Sequence, residues 1–137
     1  MFYVVCLLMR CDFKHYVITR FNISLHWPEN VCVGLNSDWL DYRFEIFEKL
    51  CFPSIENQNV KNFTWLVLFD CNTPIKIRSR VEILRKKLPQ LKPLYLPRHE
   101  PGIDRHYLVS TRYSEMIKRD GGLGSKYLIT TRIDNDD

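Results

Sequence analysis

Paired cysteines, histidine clusters, a strong charge of one sign and a membrane-length apolar run are all missing from this 137-residue chain. Its five cysteines are odd in number, and no two have the spacing of a metal knuckle or redox pair. A disulfide scaffold or zinc site is therefore disfavoured, and free thiols in a reducing compartment are expected, with Cys51 and Cys71 in apolar stretches. His15, His26, His99 and His106 show no metal-ligand spacing. Twenty basic residues against 16 acidic ones leave a net charge of +4, too small and dispersed to call for nucleic acid. The apolar run Met1–Met9 falls far short of the roughly 20 residues of a membrane helix. It has no basic region before it and no small-residue cleavage site after it, so it does not read as a signal peptide. Residues 1–14 are expected to be a leader or extra packing segment. The expected location is the cytoplasm, and peripheral association with the inner face of the membrane is left open.

What is present is a core. An apolar fraction of 45% and an aromatic fraction of 13% suit one packed domain. From residue 15 onward, strand-like and helix-like stretches alternate. A first strand is expected over His15–Phe21, ahead of a polar loop. Ser37 or Asp38 is expected to cap a helix with Leu40, Phe44, Phe47 and Cys51 on one face, interrupted by Pro53. Phe63–Phe69 is nearly all apolar, as in a strand covered on both faces. Thr73-Pro74 opens a second helix with a stripe of Ile77, Val81, Leu84 and Leu88, and Arg78, Arg85 and Lys86 are expected on a solvated face. Lys92–Leu96 is a short strand that Pro93 places at an edge or at a strand start. A third helix over Asp104–Arg119 aligns Val109, Tyr113 and Met116, ends at Gly121-Gly122, and leads into a buried strand over Lys126–Ile133.

This alternation predicts an α/β fold: a mostly parallel sheet of about four strands with flanking helices, doubly wound. Ligands on such sheets bind beyond the carboxyl ends of the strands. Those ends carry Thr19, Arg20 and Asn22; Asp70 and Asn72; Arg98; and Asp134–Asp137.

The last of these groups is the most telling. Thr130-Thr131-Arg132-Ile133-Asp134-Asn135-Asp136-Asp137 places three carboxylates within four residues. Such crowding costs electrostatic energy unless a cation relieves it. Asp134 and Asp136, two residues apart, share a side if the stretch is extended. Hard oxygen ligands select Mg²⁺ or Mn²⁺, which keep waters and grip a substrate diphosphate. The plainer reading is a solvent-facing Asp/Asn turn.

The terminal octet resembles the metal-binding segment of the rhamnosyltransferase family, glycosyltransferases of the A-type fold. The likeness extends to Tyr16-Val17-Ile18-Thr19-Arg20-Phe21-Asn22, to Trp39-Leu40-x-x-Arg43, and to Phe52-Pro53-Ser54-Ile55-x-x-Gln58. It also covers Phe63-x-Trp65-Leu66-Val67-Leu68-Phe69-Asp70-x-x-Thr73-Pro74. It implies that residues 15–137 form the Rossmann-like, sugar-nucleotide-binding half of such an enzyme. By the same likeness Asp136 would be the direct metal ligand, Asp134 would face ribose or the metal's water shell, and Asp137 would lie near the donor sugar. Asp70 would meet the base, Thr19, Arg20 and Asn22 would line the nucleoside, and Arg112 would touch base or diphosphate.

The implied reaction moves a sugar, rhamnose by the family name, from a nucleoside-diphosphate donor to a glycan or polysaccharide acceptor, with Mn²⁺ or Mg²⁺ and without nucleic acid. In the family's fold the acceptor-binding part and any catalytic base follow the acidic motif, so the chain is expected to be the front part of something larger. Each residue also has a structural alternative: Arg20 as a partner for a structural carboxylate, Asp70 as a turn cap beside Asn72, Arg112 as a surface residue, Arg132 as a charge balance. Two rival functions stand beside transfer. One is nucleotide-sugar binding without catalysis; the other is a basic interaction module built on Lys76, Arg78, Arg80, Arg85 and Lys86.

Overall fold

The computed structural model describes residues 12–23, 33–97 and 100–136. The apolar run Met1–Met9 lies outside them, as do Arg98 and Asp137 among the expected site residues. Four parallel strands form one sheet: β1 (Phe13–Arg20), β2 (Thr64–Asp70), β3 (Leu91–Leu96) and β4 (Tyr127–Arg132), in the order β3-β2-β1-β4. The expected α/β class is therefore found. Strand β1 starts inside the expected leader, because Phe13 and Lys14 pair with Tyr127 and Leu128 of β4. Pro93 sits in β3 at an edge of the sheet, where its missing N–H interrupts no second ladder.

Two expectations about strands part ways. β2 is buried from Trp65 to Asp70, as its apolar run predicts. β4 is not buried; all six of its residues are exposed. The reason is position: among the described residues β4 borders only β1, and the helices pack over the inner strands. An apolar run says that a strand can be covered, but the number of its neighbours decides whether it is.

Residue alternation along the strands builds a core on each face. On one face Val17, Phe21, Trp65, Val67 and Phe69 meet α1 (Ser37–Ile46), α2 (Phe52–Glu56) and α3 (Ile75–Lys87). Phe21 lies edge-on to Phe44 and Phe47, with centroids 5.5 and 5.6 Å away. On the other face Tyr16, Leu66, Leu68 and Leu96 meet Val109 and Ile117 of α4 (Arg105–Arg119). All four apolar residues in each of the first two predicted helix stripes are buried.

Local chemistry corrects three details. The α1 cap is Asn36, whose Oδ1 accepts from Trp39 N at 3.0 Å, and not Ser37 or Asp38. Pro53 does not interrupt the helix. The turn Phe47–Cys51 widens to π geometry, with Phe52 N–H donating to Phe47 O, and absorbs the proline's missing donor. Arg78 is not spent on solvent: it donates to the carbonyls of Thr73 and Cys71 and stacks 4.1 Å over the Tyr95 ring.

Candidate functional site

The strand order fixes where a ligand fits. The chain steps from β1 to β2 to β3 in one direction, and then α4 carries it back to β4 on the opposite side of β1. Connections beyond β1 and β4 therefore diverge, which opens a crevice at their carboxyl ends. A cleft of about 710 Å³ lies there, between the sheet and α4. Ile18, Arg20, Thr130 and Arg132 line it from the strands, and His106, Tyr107, Ser110 and Tyr113 from the helix. Burial holds the Arg20 guanidinium below its ordinary pKa, the positive charge of Arg132 adds to that depression, and the carboxylate of Asp134 opposes it.

At the same edge, the chain leaves β4 and turns at Asn135 and Asp136. Extended alternation stops before the second acid, so the expectation that Asp134 and Asp136 share one side of an extended stretch is not met. Asp134 Oδ1 lies 3.3 Å from Arg132 Nη2, whereas Asp136 Oδ2 lies 3.1 Å from Arg43 Nη1 of α1. Both side chains stay about half exposed, at 59% and 48%.

What anchors the turn is the residue between them. Asn135 is buried; its Nδ2 donates to Phe21 O at 2.8 Å, and its Oδ1 accepts from Arg43 Nη2. Cys51 Sγ adds a weak bond to Asp134 O at 3.5 Å. In the sequence Asn135 reads as a turn former, and Arg43 as part of a family pattern and of a helix's polar face. The one available signal was an amide set between two acids, where a third acid could not be buried.

The other expected site residues fall into two groups. Arg20 reaches the cleft. Thr19 faces the core, where its hydroxyl accepts from Trp65 Nε1 at 2.9 Å. Asn22 is buried and ties three segments together: Nδ2 donates to Gly34 O and Thr73 Oγ1, each at 3.0 Å, and Oδ1 accepts from Asp70 N. Asp70 is also buried, and its Oδ1 accepts from Asn72 N at 2.7 Å in a local turn. Arg112 is not among the cleft-lining residues. It pairs with Glu100 at 3.0 Å and Glu115 at 3.5 Å, and the bond to Glu100 raises its pKa further.

The family model described as putative rhamnosyl transferase matches residues 11–137. The chain belongs to that family. The match begins ahead of residue 15, in keeping with a β1 strand that already starts at Phe13. Rhamnosyl transferases are glycosyltransferases, so the crevice and the acidic turn belong to a member of a glycosyltransferase family. No curated protein and no solved structure matches the chain. Among the described residues of this rhamnosyl transferase family member, no helix is long and apolar enough to cross a membrane. Nor do they contain a group of three or more His, Cys, Asp or Glu side chains arranged to hold a metal.

Proposed function

We propose that this glycosyltransferase moves a sugar from a nucleoside-diphosphate donor to a glycan acceptor, with a divalent metal held at the acidic turn. One observation carries the reading. A turn bearing two half-exposed carboxylates is fixed beside an open cleft at the switch point of a parallel sheet. The donor set suits Mg²⁺ or Mn²⁺: Asp134 and Asp136 offer hard oxygens, and such ions take their remaining ligands from waters and substrate phosphate. When bound, the ion neutralises charge that develops on the departing nucleoside diphosphate.

The chain's own residues supply the rest. Asn135 and Arg43 anchor the turn, so the backbone that carries both carboxylates needs no reorganisation on binding. Tyr107 and Tyr113 give the cleft an aromatic wall that suits a nucleobase. Asp137 is proposed to lie near the donor sugar. Thr19, Asn22, Asp70 and Arg112 support the site through the contacts described above rather than by lining the cleft. Rhamnose as the transferred sugar rests on the family description.

Four of the five residues of the rival basic module are engaged within the fold, and Lys86 is exposed. Lys76 pairs with Asp41, Arg80 with Asp41 and Glu48, Arg85 with Glu82, and Arg78 with backbone carbonyls. Calorimetric titration with a panel of nucleoside diphosphates, with and without Mn²⁺, tests the proposal. Binding that Mn²⁺ strengthens and Asp136→Ala weakens at least tenfold supports it. No binding by any nucleotide overturns it, and binding without sugar transfer to any glycan acceptor leaves a donor-binding protein that is not itself a transferase.

A further inference from the structure

Arg20 and Arg132 share one cleft, and their placement follows from strand register. Ile18 pairs with Arg132 across β1 and β4, and Arg20 follows Ile18 by two residues on the same face. The two arginines are thus diagonal neighbours on one surface, within reach of each other's long side chains. Their charges interact, since Arg132 depresses the pKa of Arg20. Asp134 is the carboxylate near both, bonded to Arg132 at 3.3 Å. Among the described residues, two guanidiniums against one carboxylate leave surplus positive charge at the mouth of a cleft with a partly desolvated wall. Like charges so placed repel unless an anion bridges them. Guanidinium forks match phosphate oxygens in pairs, which a point charge such as an ammonium cannot do.

We infer that Arg20 and Arg132 form a two-guanidinium clamp for a diphosphate group, which binds it on the cleft side independently of any metal at the acidic turn. The clamp rests on the donor reading above only in taking the diphosphate from a nucleotide. It assigns Arg132 a ligand contact in addition to its pairing with Asp134. It also divides the work of neutralising the diphosphate: guanidiniums on the cleft side, carboxylate-held metal on the turn side.

The test is isothermal titration in EDTA with inorganic pyrophosphate, UDP and GDP, using the full chain and its Arg132→Gln, Arg20→Gln and Arg20→Lys variants. Circular dichroism melts of each variant verify folding, and the exposed Arg132 keeps the test valid if the Arg20 variants unfold. Expected are metal-free binding of pyrophosphate and both nucleotides, about tenfold or greater weakening in Arg132→Gln, and a loss in Arg20→Lys that a point charge fails to restore. Pyrophosphate binding that depends on the arginines, with no nucleotide binding, keeps the clamp and removes the donor reading. Nucleotide binding that requires Mn²⁺ and ignores Arg132→Gln keeps the donor reading and overturns the clamp. Absence of all binding overturns both.

Discussion

Arg43 Nη1 lies 3.1 Å from Asp136 Oδ2, and the neighbouring Nη2 donates to Asn135 Oδ1. A helix on one face of the sheet thus supplies the positive charge that a cluster of acids needs at the sheet's edge. The arrangement has a cost: Arg43 Nε is buried with no hydrogen-bond partner. Trp39 offsets part of it by offering a ring face 5.9 Å from the guanidinium carbon. The acidic turn is therefore held by the fold itself.

Asn135 matters more to the fold than Asp136, although the acid is the better ligand. Asn135→Ala strips buried partners from Phe21 O and Arg43, a loss of about 1–3 kcal/mol. Asp136→Ala breaks an ion pair that is half exposed, worth about 0–1 kcal/mol. Urea denaturation of both variants is expected to rank them in that order, with nucleotide binding showing the reverse. An Asp136→Ala variant that is the less stable of the two contradicts this account of the anchor.

Asn22 closes the carboxyl edge from within. Its amide joins Gly34, Thr73 and Asp70, so the ends of β1 and β2, the 3-10 turn before α1 and the turn before α3 share one buried node. Asn22→Asp is expected to destabilise as much as Asn22→Ala or more, by about 1–3 kcal/mol for each group left unpaired. The acid keeps the size of the amide but turns both donors into acceptors that face acceptors. Equilibrium unfolding measures the loss, and an Asn22→Asp chain as stable as the parent would show that the node is not closed.

The sequence announced the sheet through β2, whose run of apolar residues has one stable home, and the first two helices through stripes that proved fully buried. In the third stripe Val109 is buried, and Tyr113 and Met116 are partly so. It announced the switch-point edge because polar residues gather at the carboxyl ends of the strands. It could not announce which of those residues face the cleft. Thr19 and Arg20 are adjacent, and strand alternation sends the first to the core and the second to the cleft. Which face holds the cleft depends on how α4 packs, a tertiary fact with no local signature. Arg112 lies outside the cleft lining for a related reason: Glu100, in the loop before α4, and Glu115, one turn along it, hold its guanidinium.

Gly122 is required by space rather than by backbone angle. A Cβ there would stand 2.6 Å from Ile117 Cγ2 and 2.8 Å from Tyr16 Oη. Gly122→Ala is expected to cost about 1–3 kcal/mol through overpacking. The disturbance should centre on the end of α4 and on β1, where hydrogen exchange of the Ile117 and Tyr16 amides reports it. Gly124→Ala, with nothing within 4 Å of the new methyl, serves as the neutral control.

Tyr16 gives the fold an alkaline limit. Its ring is fully buried, and its hydroxyl donates to Asp120 Oδ2 at 2.6 Å. Burial, then the bond to that carboxylate and its negative charge, raise the phenol's pKa well above the ordinary value of 10.0. The folded state therefore keeps its proton where the unfolded chain releases it. The stabilisation is complete below about pH 10 and declines as pH rises beyond it, because only the unfolded state gains from ionising. Urea midpoints measured from pH 8 to 11.5 are expected to fall above pH 10 in the parent chain. In Tyr16→Phe they should start lower, since the charged acceptor loses a bond worth about 1.5–3 kcal/mol, and then decline less steeply. Equal slopes in the two chains would mean that the phenol ionises as readily folded as unfolded, contrary to its burial against Asp120.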